Sequence, residues 1–290
     1  MDQREKFDVF RSLHRGAGAF VIPNPWNAGS ARLLADLGFK ALATTSAGYA
    51  FSVGKRDSFS SLTRDELIAN AAEIVGATDL PVTADLEDGF GSSPETCAET
   101  VCIASGIGLV GGSIEDATGN ADDPIFDLAL ATDRIRAAAE AAVGLPFLLT
   151  ARAENHLWGR QDLRDTITRL QAFSEAGADV LYAPGLPDIE AIRTLCREVD
   201  KPVNVVMGLG VPAYSVDQLS QAGVRRISVG GSFARAAFGA LRRAAIEVRD
   251  AGTFGYARDA IFGAVMADLM SSDRSAKRDQ EEPARKKSQP

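Results

Sequence analysis

Several polar residues stand at the same end of short apolar runs. Asp85 and Glu87 close PVTADLE, Glu115 closes LVGGSIE, Arg152 closes PFLLTAR, and Ser46 follows ALATT. If those runs are neighbouring parallel strands, three carboxylates, a hydroxyl and a guanidinium converge on one mouth. Adjacent carboxylates repel unless a cation or a proton lies between them. A donor set made only of hard oxygens suits Mg²⁺, which keeps waters and substrate oxygens in its octahedron; Mn²⁺ fits nearly as well. The expected metal residues are therefore Asp85, Glu87 and Glu115. Asp85 and Glu87 are two apart, so on a regular strand both would face the same way. Arg152 can grip a carboxylate through two parallel hydrogen bonds, which a lysine cannot do. The competing structural reading pairs these acids with Arg152, Lys55 or Arg56 in an ion-pair network. Their gathering at the ends of separate strands favours a site for a cation and a small anionic acid.

Eight strand-like runs are spaced to place these residues: 19–23, 41–46, 81–86, 109–114, 146–151, 179–183, 202–207 and 226–230. Helical patterns such as TRDELIANAAEIVGA and DLRDTITRLQAFSEAG lie between them, and Gly38 and Gly177 stand where a left-handed cap would end a helix. The strands are apolar throughout rather than alternating, as in sheets covered on both faces. Eight such units in one chain predict an α/β fold of the (β/α)₈ TIM-barrel type, whose active site lies at the C-terminal ends of the strands. A single domain over 1–270 is expected. Beyond the eighth strand, Phe238, Leu241, Ile246, Ile261, Val265 and Leu269 give two further helices apolar faces suited to an oligomer contact or to capping the barrel.

The 290 residues are 46% hydrophobic and 24% charged, with a net charge of −8. That balance argues against nucleic acid as a partner, since binding a polyanion relies on basic surface. No apolar stretch approaches the length of a membrane span. The first 16 residues mix charges of both signs and hold no apolar signal core, and the three cysteines show no pairing or metal pattern, so a reducing cytoplasm is expected. Residues 271–290 carry six basic and four acidic side chains and no large apolar one, which predicts a disordered tail.

Weaker signals accompany the acidic one. Glycines in DGFGSS and SAGY let the backbone approach a ligand and offer N–H groups to an anion. MGLG and SVGGS end the seventh and eighth strands, where many barrels hold a phosphate, but no Lys or Arg accompanies them at the mouth. Arg235 lies a turn into the next helix. His156 and Trp158 follow Arg152 in a loop that could cover the site, His14 is assigned no role, and the cysteines read as packing groups.

Together the motifs resemble the isocitrate lyase and phosphoenolpyruvate mutase superfamily over roughly residues 18–250. IPNPWNAGSARL resembles its opening strand and helix. ATTSAG resembles its substrate-binding turn, here Ser46, Ala47 and Gly48. GKRD resembles the segment carrying a family aspartate, here Asp57. ADLEDGFG resembles the D-x-D/E-x-G-Y-G metal motif with Phe90 in the tyrosine's place, SIED the stretch bearing Glu115, and TAR the strand end whose Arg152 binds the substrate carboxylate. The resemblance implies Mg²⁺, a 2-oxo or 2-hydroxy acid reacting through an enolate, and oligomers that swap the last barrel helix.

The loop after Glu115 departs from that pattern. It reads DATGNADDPIF, without the cysteine of the K-K/R-C-G-H lyase loop or the lysine of the mutase loop; only Asn120 stands for the latter's asparagine. YAPG occupies the place of the mutase-like histidine. The expectation is a Mg²⁺-dependent carbon–carbon lyase or decarboxylase for a small dicarboxylic 2-oxo or 2-hydroxy acid, of the oxaloacetate decarboxylase or substituted-malate lyase kind. Asp57 is the candidate base and Arg152 the carboxylate grip, in a homodimer or homotetramer. The alternatives are phosphonomutase or phosphonopyruvate hydrolase chemistry, and a barrel that binds a 2-oxo acid without converting it.

Overall fold

The computed structural model describes residues 1–59, 61–208, 210 and 212–271. The tail expected over 271–290 thus lies outside the described residues apart from Ser271, as does Leu209 of the MGLG turn. The chain divides into two compact units, Met1–Phe238 and the segment from Gly239 onward.

The first unit opens with helix α1 (Gln3–Arg15) and then alternates strands and helices. The strands are β1 (Phe20–Ile22), β2 (Leu42–Ala43), β3 (Val82–Asp85), β4 (Gly111–Glu115), β5 (Leu148–Arg152), β6 (Val180–Tyr182), β7 (Val203–Val206) and β8 (Arg226–Ser228). The helices are α2 (Ala28–Asp36), α3 (Ser46–Ser52), α4 (Arg64–Gly76), α5 (Pro94–Gly106), α6 (Leu128–Ala142), α7 (Leu163–Glu175), α8 (Ile189–Glu198) and α9 (Val216–Gln221), followed by α10 (Ser232–Ala251). All strand pairs are parallel, in the order β1-β8-β7-β6-β5-β4-β3-β2. The amide of Ala43 donates to Pro23 O at 3.0 Å across the remaining seam. The expected (β/α)₈ barrel is present.

Local chemistry explains the element boundaries. Thr63 and Glu66 form a reciprocal capping box at the start of α4, Ser93 caps α5 ahead of Pro94, and Asp162 caps α7. Gly38 and Gly177 take φ of 86° and 108°, the left-handed turn that ends a helix without steric cost. Leu149, Leu181 and Ile227 are buried on their strands, each worth about 1.5–3 kcal/mol of transfer from water.

The barrel interior is more polar than its strands promise. Residues from all eight strands line one internal cavity of about 70 Å³, among them Thr83, Asp85, Arg152, Asn204 and Arg226. Arg226 is buried there. It donates to Asn204 Oδ1 at 2.8 Å and Thr150 Oγ1 at 3.0 Å, and approaches His14 Nε2 at 3.5 Å. His14 Nδ1 lies 2.9 Å from Phe10 O, so with Nδ1 donating, Nε2 is the acceptor facing Arg226.

In the second unit, the remainder of α10 is followed by a 3₁₀ turn (Gly255–Arg258) and α11 (Gly263–Met270). Glu247 ties the turn by accepting from Thr253 Oγ1, Gly255 N and Tyr256 N. Leu241, Phe254, Ile261, Phe262 and Val265 are exposed. No described helix is long and apolar enough to cross a membrane.

Candidate active site

The C-terminal ends of the strands open onto a cavity of about 720 Å³. Ser46, Ala47, Asp57, Asp85, Glu87, Glu115 and Arg152 all line it, so the structure brings together most of the residues expected from the sequence. Arg152 is its hub. Its Nη1 lies 3.6 Å from Asp85 Oδ1 and 3.3 Å from Glu115 Oε2, while its Nε donates to Glu154 Oε1. The register pairs Glu115 directly with Arg152 on adjacent strands, which fixes that ion pair in the backbone. The guanidinium carbon sits 5.0 Å from the centre of the Tyr182 ring. Burial opposes the charge of Arg152, yet Glu154 and Glu115 hold it protonated well above its ordinary range.

The acids are crowded. Burial, then the charges of Asp85, Asp88 and Asp57, push Glu87 up to about 8. Burial raises Glu115 strongly against the pull of Arg152, and raises Glu154 in the same way. Asp57 is raised by desolvation and by Asp85. Five carboxylates (Asp57, Asp85, Glu87, Glu115, Glu154) face two guanidiniums (Arg152, Arg235) around this mouth. Such an excess of hard oxygen donors fits a divalent cation. Among the described residues, no three His, Cys, Asp or Glu side chains form a ready-made metal cage. Mg²⁺ needs no such cage, because it commonly takes one or two protein carboxylates and completes its shell with water and substrate.

Three local geometries differ from the sequence expectation. β3 ends at Asp85 and Glu87 has φ of 47°, so the two share the mouth through a left-handed turn rather than through strand alternation. The run 41–46 is strand only at Leu42–Ala43, because Thr45 caps α3 by accepting from Gly48 N at 3.2 Å. Ser46, Ala47 and Gly48 are therefore the first helical turn. Ser46 Oγ donates to Asp85 Oδ2 at 2.8 Å, which orients that carboxylate. A Cβ at Gly48 would come 2.7 Å from Thr45 Cγ2, so the close packing of this turn requires glycine.

Asn120 is not brought to the other residues. It is exposed in a loop closed on itself by the Ala117–Ile125 bridge, where its Oδ1 accepts from Asp122 N at 3.0 Å. Sequence reasoning missed Glu154, Tyr182 and Arg134. The first two carried the signal used elsewhere, a polar group at or just past a strand end. Arg134 carried none. It sits on α6, 1% exposed, and donates to Glu115 O at 3.1 Å, Gly91 O at 3.2 Å and Asp88 O, with its guanidinium over Phe126. It thereby ties the Asp88–Gly91 turn to the end of β4. Arg235, set aside in the sequence as too far along its helix, does line the mouth beside Gly230 and Gly231.

The phosphoenolpyruvate phosphomutase family model matches residues 10–249. The chain belongs to that family. A solved chain from Burkholderia cenocepacia J2315 is 54% identical, with a TM-score of 0.90 over 93% of this chain and 97% of its own. The 2-methylisocitrate lyase of Escherichia coli K12 is 30% identical over 83% of this chain and 82% of its own. The crystal structure of 2,3-dimethylmalate lyase, a PEP mutase/isocitrate lyase superfamily member, is 26% identical with a TM-score of 0.84 over 97% of this chain and 99% of that one. The superfamily resemblance seen in the motifs is thus borne out, and carbon–carbon lyases are among this chain's relatives.

Proposed function

We propose that this phosphomutase-family chain is a Mg²⁺-dependent carbon–carbon lyase or decarboxylase acting on a small 2-oxo or 2-hydroxy dicarboxylic acid through an enolate. The observation that carries the reading is the mouth where Asp85, Glu87 and Glu115 surround the firmly charged Arg152. When bound, a divalent cation would supply Lewis-acid stabilisation of negative charge developing on the substrate. Asp85, Glu87 and Glu115 are the residues that would hold it.

Arg152 binds the substrate's carboxylate, and its orientation is set in advance by Glu154, Glu115 and the Tyr182 ring. Ser46 holds Asp85 in place. In decarboxylation of a 2-oxo acid that carries its second carboxylate on C3, the bond from C3 to that carboxylate breaks, CO₂ leaves, and the electron pair stays on C3, delocalised to the C2 oxygen, with no base needed. Cleavage of a 2-hydroxy acid begins instead with loss of the hydroxyl proton, which Asp57 accepts; its raised pKa brings it closer to working pH.

The test is a proton NMR screen of oxaloacetate, substituted malates and methylisocitrate with Mg²⁺ and then EDTA, using Asp85→Ala protein as the blank. Mg²⁺-dependent release of pyruvate or glyoxylate, absent in the blank, is expected. Turnover and Mg²⁺ binding that survive Asp85→Ala would end the proposal. One observation favours a second reading. Arg235 beside Gly230 and Gly231 gives the mouth a second cation suited to a phosphonate; phosphorus NMR with phosphonopyruvate would detect cleavage or formation of a P–C bond.

A further inference from the structure

A second cavity, of about 290 Å³, adjoins the mouth between the ends of β6 and β7. Arg152, Leu157, Tyr182 and Val206 line both, so the two spaces lie side by side across these residues. Past Arg152 its described walls are apolar side chains, chiefly Ala183, Leu186, Ile192, Val205 and Met207. The Tyr214 hydroxyl, also on the wall, is engaged by the amide of Ile189 at 3.1 Å. Arg152 is the one charged residue among the described lining, and it stands at the side shared with the mouth, where it is taken up by the substrate's own carboxylate. A carboxylate deep in this space would lose its water and gain no cation, which is strongly unfavourable. An apolar group would gain by leaving water. A dry cavity of about 150 Å³ admits benzene, so this one has room for a phenyl-sized group.

We infer that this cavity is the specificity pocket for an uncharged, apolar substituent, branched alkyl or aryl, on the carbon next to the substrate's 2-oxo or 2-hydroxy group. The inference rests on the enolate-chemistry reading above, since the carboxylate and C2 oxygen must occupy the mouth for that carbon to face the cavity. Wall residues at the end of β7, in the segments that follow β6 and β7, and on α8 then set selectivity, and the acidic mouth serves any substrate of the class.

Calorimetric titration of the full chain with Mg²⁺ tests it, using oxalate, pyruvate, 2-oxobutanoate, 4-methyl-2-oxopentanoate, phenylpyruvate and 2-oxoglutarate. Affinity should rise along the apolar series, with phenylpyruvate at least about 10-fold tighter than pyruvate. 2-Oxoglutarate should bind more weakly than phenylpyruvate. Ala183→Leu, which fills the cavity, should erase the apolar preference and leave oxalate affinity unchanged. Leu186→Asp, at a partly exposed wall position that tolerates a charge, should do the same even if the buried substitution fails to fold. Equal affinity for pyruvate and phenylpyruvate, or tightest binding of 2-oxoglutarate, with oxalate binding intact, would overturn the pocket assignment alone. Loss of the preference in neither variant would also overturn it. No affinity for oxalate in the wild-type chain would overturn the acid-site reading and this inference with it.

Discussion

Replacing Arg134 with methionine removes a buried guanidinium that holds three backbone carbonyls, those of Asp88, Gly91 and Glu115. Hydrogen bonds from a charged donor contribute roughly 1.5–3 kcal/mol each, and carbonyls left unpartnered add their own desolvation cost. The apolar stem of methionine keeps part of the packing on Phe126 and offsets some of this loss. A net destabilisation of roughly 3–5 kcal/mol follows, which for a domain of this size lowers Tm by about 10 °C. Because those carbonyls flank Glu87 and Glu115, the metal affinity should fall as well, even at temperatures where the fold persists. A displacement of about 1 Å in such a site costs on the order of 100-fold in rate. Arg134→Lys should rescue little, since one ammonium cannot reproduce the planar fork that spans three acceptors. The assay is a thermal melt paired with a Mg²⁺ titration of turnover. An Arg134→Met protein that melts within about 2 °C of wild type, with an unchanged Mg²⁺ requirement, would refute the clamp.

Other consequences can be measured in parallel. Asp85→Asn keeps the shape of the carboxylate but not its charge, and should raise the reaction barrier by about 2.7–4 kcal/mol, read as a fall in kcat at saturating Mg²⁺. Burial and then Arg226 push His14 down to about 3 from its usual 6.5, so the unfolded chain binds the extra proton between those values. The stability this supplies is complete above pH 6.5 and is lost as pH falls toward 3, on the order of 5 kcal/mol in all; His14→Gln should flatten that slope in urea melts, and an unchanged slope would contradict the assignment. The exposed Leu241, Phe262 and Val265 are expected to face another copy of the chain. Light scattering should therefore show a homodimer or homotetramer that Phe262→Asp weakens, and a wild-type monomer at micromolar concentration would contradict this.

Much of the site was legible because a parallel barrel translates chain position into space. Any polar residue closing an apolar run must lie at one mouth, which is why Asp85, Glu115 and Arg152 could be grouped without a structure. Where the chain leaves regular strand geometry, that rule stops. Glu87 reaches the mouth through a left-handed turn, and Ser46 through a helix begun by the Thr45 cap. Neither can be told from strand continuation by residue type alone. Asn120 does not line the cavity for a related reason, since a hydrogen bond within its own loop holds it exposed, which residue type alone does not reveal. Arg134 was invisible because an arginine within a helical pattern reads as solvent-facing, and only the packing of α6 against the β4 end buries it. Arg226 begins the eighth strand run, and nothing local shows that its side chain enters the barrel to meet Asn204 and Thr150.

If the proposed function holds, this mouth stabilises the enolate of a small 2-oxo acid. This is tested most directly by proton exchange, which needs no knowledge of the physiological substrate. Pyruvate in D₂O would be followed by proton NMR with the full chain and Mg²⁺, beside EDTA-treated and Asp85→Asn samples. Enzyme-dependent loss of the methyl proton signal is expected as deuterium enters through the enolate, suppressed by EDTA and by Asp85→Asn. A methyl signal that decays no faster with wild-type protein than with Mg²⁺ alone, although pyruvate binds, would contradict it.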